Sequence, residues 1–426
     1  MAYPITITTL VDFGTSPTFP ITANPFTLNS ATYGKLNTNY LGEGASNIVD
    51  ISSSVMLINI SGGYQLQQDQ FQTNAGTVRI YDPNGWWNPQ NSNSPYYGFL
   101  IPNKKIAIYT TYPIVSGTTR PLFSGYINAY NYSFPTSMSV GFVDLLVSDA
   151  FRLFNMATIS TITGGVAGQT TGQRINTILD NLAFPSSLRA IDVGNNLVQS
   201  DPGTSRTALA ALKNVEYAEQ GAFYIDDNGY ATFKSRQNII DTNGAAPITY
   251  FANHASDDNS GISYAGITFA HDDKLIVNQC TTTNIGGTAQ NFSDLASVAT
   301  YFPHTVTQTN VVGYSDADAL NISTVYVRTR AATSIRIDSI SLDLTTSNYA
   351  AGILAALTLN YFSTVDIKNV QSNGSTIEKV LQVMGSNYKI TPTTFDISFT
   401  TSSPIVTGFI LNSPLYGVLD TSYLTW

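Results

Sequence analysis

The sequence is poor in charge, in histidine and in cysteine, and each shortage closes off a class of function. Charged residues make up 11% of the 426 positions, against the ~25% of an ordinary soluble protein. The 19 Lys and Arg stand against 28 Asp and Glu for a net charge of -9, and they form no basic run. Affinity for nucleic-acid backbones comes mainly from clustered cations, so a phosphate-tracking binder is excluded. The single cysteine, Cys280, rules out an internal disulfide framework and any multi-cysteine zinc site. The three histidines, His254, His271 and His304, are scattered and form neither HExxH nor His-x-His. No stretch approaches the ~18 consecutive apolar residues of a membrane-spanning helix. Met1-Ala2-Tyr3-Pro4 has neither the basic nor the apolar region of an export signal, which implies synthesis in a cytoplasm.

What replaces the charge is Ser, Thr, Asn, Gln and Gly on the polar side and an ample apolar stock on the other. Hydrophobic residues reach 43% and aromatics 12%, with 25 Tyr and 21 Phe, so disorder is excluded. A surface with so little charge repels its neighbours weakly and suits a subunit packed within an assembly.

From Ile48 onward the pattern is short and alternating: Val55-Met56-Leu57-Ile58-Asn59-Ile60, Gly76-Thr77-Val78-Arg79-Ile80-Tyr81, Lys105-Ile106-Ala107-Ile108-Tyr109, Leu122 to Ile127 and Ser137 to Val143. Period two with β-branched and aromatic enrichment, broken by Gly, Pro and Asn, predicts antiparallel sandwich or barrel strands. The texture then changes. Thr170 with Gln173 forms a capping box ahead of Ile175, Ile178, Leu179 and Leu182 on one helical face, and a second helix is expected from about 205 to 219. Ala222-Phe223-Tyr224-Ile225 and Tyr230-Ala231-Thr232-Phe233 flank Asp226-Asp227-Asn228-Gly229, a hairpin signal. Strand character returns at Ile262 to Phe269 and Leu275 to Val277. An amphipathic helix is expected with Leu295, Val298, Ala299 and Phe302 on one face, and another opening at Ser315 with Asp316 and Asp318 in its first turn. The tail alternates again through Val365 to Ile367, Lys379 to Gly385 and Thr394 to Phe399.

The expected fold is therefore mainly β with an α+β insert, as two β-barrel-like domains and small helix-hairpin modules. The expected boundaries are an N-terminal arm at 1–45, a first barrel at 46–158, the insert at 159–240, a second barrel at 241–345 with a helical insert near 291–330, and a C-terminal β segment at 346–426.

Candidate chemistry is sparse. The carboxylate pairs Asp226-Asp227, Asp257-Asp258 and Asp272-Asp273, and Asp316 with Asp318, all fall at turns or a helix start, where acids serve the backbone. Gly164-Gly165-Val166-Ala167-Gly168 before Gly172-Gln173-Arg174 has the look of a phosphate loop but lacks the Lys-Ser/Thr of a Walker motif. Cys280 reads as a small buried hydrophobe, with a dyad to His271 or His304 as the reactive alternative. Trp86-Trp87 reads as packing under a loop, with a carbohydrate-stacking platform as the alternative. No catalytic, cofactor-binding or metal-ligating residue is assigned.

Four stretches together resemble the tail hub or minor tail proteins of tailed bacteriophages, a group with a baseplate-hub-like fold. They are Leu66 to Gly85, with its core Gly76-Thr77-Val78-Arg79-Ile80-Tyr81-Asp82-Pro83-Asn84-Gly85, followed by Asn88-Pro89, Ser94-Pro95-Tyr96-Tyr97, Pro121-Leu122-Phe123-Ser124-Gly125-Tyr126-Ile127 and Val143 to Phe151; the module of Gly172 to Asp180 and Ala208 to Glu219; its hairpin at Gly221 to Phe233; and the closing stretch Thr407 to Ser422. The resemblance implies a structural, non-enzymatic virion protein at the tail tip or baseplate. It implies a homotrimeric ring joining the sixfold tail tube or distal tail ring to the threefold tip. Expected partners are the distal tail or tail tube protein, the tape-measure protein and tail spike or fibre proteins. It implies no specific nucleic-acid site, although phage DNA would pass a central channel, and neither cofactor nor membrane segment. It further implies assembly in the host cytoplasm, with any lytic or receptor-binding extension carried by another chain. The second reading, motivated by the aromatics and acidic turns, is a carbohydrate-binding or depolymerase-type adsorption protein of the virion, which needs two carboxylates across one cleft or exposed ring faces on one surface.

Overall fold

The computed structural model describes residues 5–14, 48–66, 68–112, 118–133, 141–243, 249–253, 261–345 and 351–404. Most of the arm at 1–45, the pair Asp257-Asp258, His254 and the closing stretch Thr407 to Ser422 lie outside the described residues.

Alternation becomes sheet wherever one face finds a core. In the strand Gly141–Ser148, Val143, Leu145 and Val147 point inward and are fully buried while Phe142, Asp144 and Leu146 face the other way. The same rule builds a 13-stranded sheet. Its N-terminal lobe runs in spatial order Val55–Gln65, Gln70–Asp82, Gly141–Ser148, Thr118–Ser133, Lys104–Tyr112, Thr6–Asp12 and Ile48–Asp50, every pair antiparallel. Its C-terminal lobe contains Gly266–Ala270, Arg336–Asp343, Phe395–Ser402, Thr376–Ile390 and Thr364–Val370, with Thr249–Ala252 added in parallel to the last of these.

One strand joins the lobes. Along a single edge, the first half of Thr376–Ile390 pairs with Thr364–Val370 and the second half, from Gly385, pairs with Val55–Gln65. At the crossing Gly63 sits opposite Gly385 with φ +119°, and a Cβ on Gly63 would lie 2.2 Å from the Gly385 Cα. Only glycine permits both that backbone angle and that approach. The two expected barrels are thus two lobes of one continuous sheet. Among the described residues no ladder closes either lobe into a ring; in the C-terminal lobe a parallel bridge from Phe251 to Ile262 spans the circuit instead.

Two inserts hang from this frame. The first carries the helices Phe151–Met156, Thr171–Asn181 and Ala208–Glu219 and a three-stranded sheet of Arg189–Ile191, Ala231–Lys234 and Ala222–Ile225. The capping box at Thr170 and Gln173 is formed in both directions. Its core, with Ile175, Leu179, Leu212, Phe223 and Phe233, runs without a break into Phe71, Phe362 and Met384 of the main sheet. The helix Arg236–Asn243 comes next in the chain.

The second insert is a sheet of Gln279–Asn284 between Gln290–Ser293 and Thr305–Val311, with the helix Asp316–Arg328 against it and the short helix Leu295–Tyr301 at its rim. Its own core cluster is small: Val277, Cys280, Tyr326 and Val327. The expected face of the short helix is not a core face, because Leu295 and Phe302 are 76% and 80% exposed while the polar Ser297 is buried. Leu275 to Val277 is not a strand; Ile276 and Val277 are buried in an irregular segment whose Val277 N–H donates to the Arg330 carbonyl.

Candidate functional site

The acidic pairs act on the backbone. Asp226 accepts the N–H groups of Asn228 and Tyr230 at 3.0 and 2.8 Å and so closes the hairpin turn. Burial raises its pKa, and raises that of Asp227 to about 8 with the Asp226 charge adding to it. Asp272 accepts from the Arg336 guanidinium at 2.8 Å, and this hydrogen bond holds it down to about 2. Asp318 completes a capping box with Ser315, and Asp316 accepts from the Thr288 hydroxyl at 2.5 Å.

The glycine-rich loop is the reverse of a phosphate cradle. The N–H groups of Gly165, Val166 and Gly168 are already bonded to the carbonyls of Ile162, Gly164 and Val198. The buried Arg174 guanidinium donates to the carbonyls of Val166 and Gln199 at 2.8 and 2.6 Å. A loop that presents carbonyls to a cation has no donors left for an anion.

Cys280 is fully buried, its Sγ 3.9 Å from the Thr282 hydroxyl, and burial raises its pKa; a reactive thiolate needs the opposite setting. His304 Nε2 lies 3.2 Å from the Tyr301 carbonyl, and His271 is exposed. Among the described residues no three His, Cys, Asp or Glu side chains gather to hold a metal ion. Trp87 is buried against Phe13 and Tyr96, whereas Trp86 meets Tyr96 edge-on and is partly exposed, so the pair does not form one flat platform.

Residues that the sequence did not single out hold the inserts together and to the sheet. Asp149, buried, accepts the N–H groups of Asn74 and Phe151 at 2.8 and 3.0 Å, and burial lifts it to about 7. Glu219 accepts from the Thr171 hydroxyl at 2.8 Å and from the N–H groups of Asn195 and Asn196. Arg330 of the second insert donates to both oxygens of Asp69, at 2.7 and 2.8 Å, across 261 residues of sequence, and stacks 4.0 Å over the Tyr326 ring. Tyr64 donates to the same carboxylate. Asp69 sits at φ +54° in the turn between Val55–Gln65 and Gln70–Asp82, a position Asp tolerates better than most residues.

Two hollows lie between these parts, the second of them bordered by Tyr64, Asp69 and Arg330. Where the N-terminal lobe, the first hairpin and the 356–361 segment meet lies a polar cavity of about 290 Å³, with Asp226, Asp227, Tyr224 and Arg120 on its wall. The Arg120 Nε there is buried, with no acceptor among the described residues. At the three-way junction of sheet and both inserts lies a cleft of about 190 Å³, lined by Phe71, Ile239, Phe362 and Met384, with Gln382, Arg236 and the Asp69–Arg330 and Asp272–Arg336 pairs among its polar groups.

No protein-family model matches the sequence, and no curated protein matches it. Solved structures do match in fold. A tail protein from Neisseria meningitidis superimposes with a TM-score of 0.56 at 9% identity, over 94% of this chain and 97% of that one. The 43 kDa tail protein of prophage MuSo2 from Shewanella oneidensis does so with a TM-score of 0.50 at 12% identity, over 84% of this chain and 97% of that one. The chain therefore has the fold of phage tail proteins, mainly β with α+β inserts, as the resemblance implied. Among the described residues no helix is long and apolar enough to cross a membrane.

Proposed function

We propose that this chain is a structural protein of a phage tail, the hub of a tail tip or baseplate. The observation that carries the reading is the extent of the fold match, nearly the whole of this chain against nearly the whole of two tail proteins. The low surface charge and the carboxylates committed to turns, caps and links agree with it.

In this reading three copies form a ring in which each chain contributes two sheet lobes. Six similar lobes would then match a sixfold tail tube or distal tail ring on one side and a threefold tip on the other. Neighbours are the distal tail or tube protein, the tape-measure protein and a spike or fibre, and DNA passes the centre without a specific site. The chain has no catalytic role, is made in the host cytoplasm and ends in the virion. Its units are the arm, the first lobe, the 159–240 insert, the second lobe with its own insert, and the C-terminal β segment.

The test is solution mass by light scattering across a concentration series, then particle averaging of the dominant species. A threefold ring with a central channel is expected. A stable monomer at high concentration that binds or cleaves glycans would overturn the reading.

A further inference from the structure

The strand Thr305–Val311 ends the sheet of the second insert, with Gln279–Asn284 on one side and, among the described residues, no strand on the other. We propose that this free edge takes up an extended, uncharged strand of another protein, seated in the hollow between the edge and the helix Ala208–Glu219. The inference stands apart from the hub reading and uses only the edge and the hollow beside it.

One bond fixes which groups the edge presents. The Gln279 N–H donates to the His304 carbonyl at 3.2 Å, and a parallel ladder turns alternate residues toward its partner. Val306 and Gln308 therefore face Gln279–Asn284, and the N–H and C=O groups of Thr305, Thr307 and Thr309 point outward. All three residues are exposed, and their outward groups have no hydrogen bond among the described residues. Proteins ordinarily blunt such edges by shortness, charge or proline. Two other sheet-terminal strands obey: Ile48–Asp50 has three residues, and Gly266–Ala270 runs into His271-Asp272-Asp273-Lys274. From Thr305 to Tyr314 there is neither a charged residue nor a proline.

A hollow of about 450 Å³ borders this edge, with Gln308, Thr309 and Val311 on one wall and Leu209, Ala210 and Lys213 on the other. Gln308 and Thr309 are consecutive in a strand and point to opposite faces, so a hollow that touches both lies off the edge rather than over one face. Asn214 fixes the helical wall in place: its Nδ2 donates to the Asn310 carbonyl at 2.8 Å and its Oδ1 accepts the Val312 N–H at 3.2 Å. The hollow is also electrically neutral. Lys213 is the one charged side chain among its described lining residues, and Glu216 pairs with it at 2.8 Å. A charge on the occupant would lose water and gain no counter-ion there, which selects an uncharged segment. Alternating main-chain donors and acceptors are matched by another extended main chain, which selects a strand over a helix.

The probe is a fluorescein-labelled peptide of alternating Thr and Val, with lysines beyond both ends of the pairing stretch for solubility. Its binding to the full chain is read by anisotropy and by hydrogen exchange resolved to single amides. Saturable binding is expected, with exchange at Thr305, Thr307 and Thr309 slowed by about tenfold or more and exchange at Val306 and Gln308 unchanged. A probe with Glu at its central Val should bind about tenfold more weakly, and so should the native probe to Ala210→Trp, which fills the hollow, and to Thr307→Pro, which removes an outward N–H. No slowing at millimolar probe, slowing elsewhere, or binding indifferent to the Glu probe and to Ala210→Trp would overturn the proposal. Amides already slow without probe would also overturn it, in favour of a second copy where dilution speeds them and of this chain's own cover where it does not. Exchange and the Glu probe read the unaltered protein, so they decide the matter even where a variant fails to fold.

Discussion

The two inserts use the same local devices and differ in how much of each is buried in the shared core. Each is a three-stranded sheet with a helix opened by a capping box, Thr170 with Gln173 in the first and Ser315 with Asp318 in the second. The first sinks its helices into a core shared with the main sheet; the second lends Val311, Val312 and Ile322 to that same core, but keeps a separate small cluster around Cys280 and turns Leu295 and Phe302 to solvent. Local chemistry determines that a helix forms. Which face it hides depends on what the rest of the chain brings to it.

Cavity mutants should expose this contrast most strongly. Phe223, fully buried and stacked 5.6 Å from Phe151, sits at the centre of the shared core. Phe223→Ala should cost about 3–5 kcal/mol. Val327→Ala in the smaller cluster should cost about 1–2 kcal/mol. Urea unfolding monitored by circular dichroism measures both; equal losses would mean the second insert is as firmly cored as the first.

The polar ties come next. Glu219→Gln removes one of two oxygens that accept three groups deep in the first insert. About 2–3 kcal/mol should be lost. Asp69→Asn breaks the partly exposed tie of the second insert to the sheet, and about 1–2 kcal/mol is expected. Hydrogen exchange should show the Asp69 variant loosening the second insert and sparing the first.

The two regions also titrate in opposite senses. Asp149 and Asp227, on the first insert's side, bind protons more tightly in the fold, at about 7 and about 8. Their contribution is complete below the ordinary carboxylate range and is lost as pH rises through those values. Asp272, at the entrance to the second insert, is held down to about 2, so its contribution is present at neutral pH and lost as pH falls toward 2. Asp227→Asn should therefore leave stability at pH 4 unchanged and raise it at pH 8. The full shift would be worth several kcal/mol, and partial exposure of Asp227 reduces the gain to about 2 kcal/mol. Thermal melts across pH 4 to 8 check it; a parallel offset at all pH values would assign the change to packing instead.

The same contrast governs what could be read in the sequence. The hairpin from Ala222 to Lys234, the helix after Thr170 and the helix after Ser315 were legible because turn residues and caps act within a few positions. The strand Gln279–Asn284 was not. Its buried positions are Cys280, Thr282 and Asn284, so its alternation is written in polar residues, with Thr282 satisfied by the Ser323 hydroxyl at 2.9 Å. Arg174 likewise gave no hint of burial, since its acceptors are carbonyls that only the folded loop brings together. The cleft was invisible for the same reason: Tyr64, Arg236, Arg330 and Gln382 come from four separate stretches.

Phe302 is where the second insert departs furthest from self-sufficiency. It ends the short helix at φ +67° and ψ 165°, with its ring 80% exposed. That backbone region belongs essentially to glycine and costs another residue about 1–3 kcal/mol. In the isolated chain nothing among the described residues packs on the ring in return. Phe302→Gly should therefore stabilise the monomer, by about 1 kcal/mol once the added freedom of the unfolded chain is subtracted. A calorimetric melt measures it. A loss of stability would show that the ring already offsets its strain within the monomer, and would erase the difference between the two inserts at the point where it is sharpest.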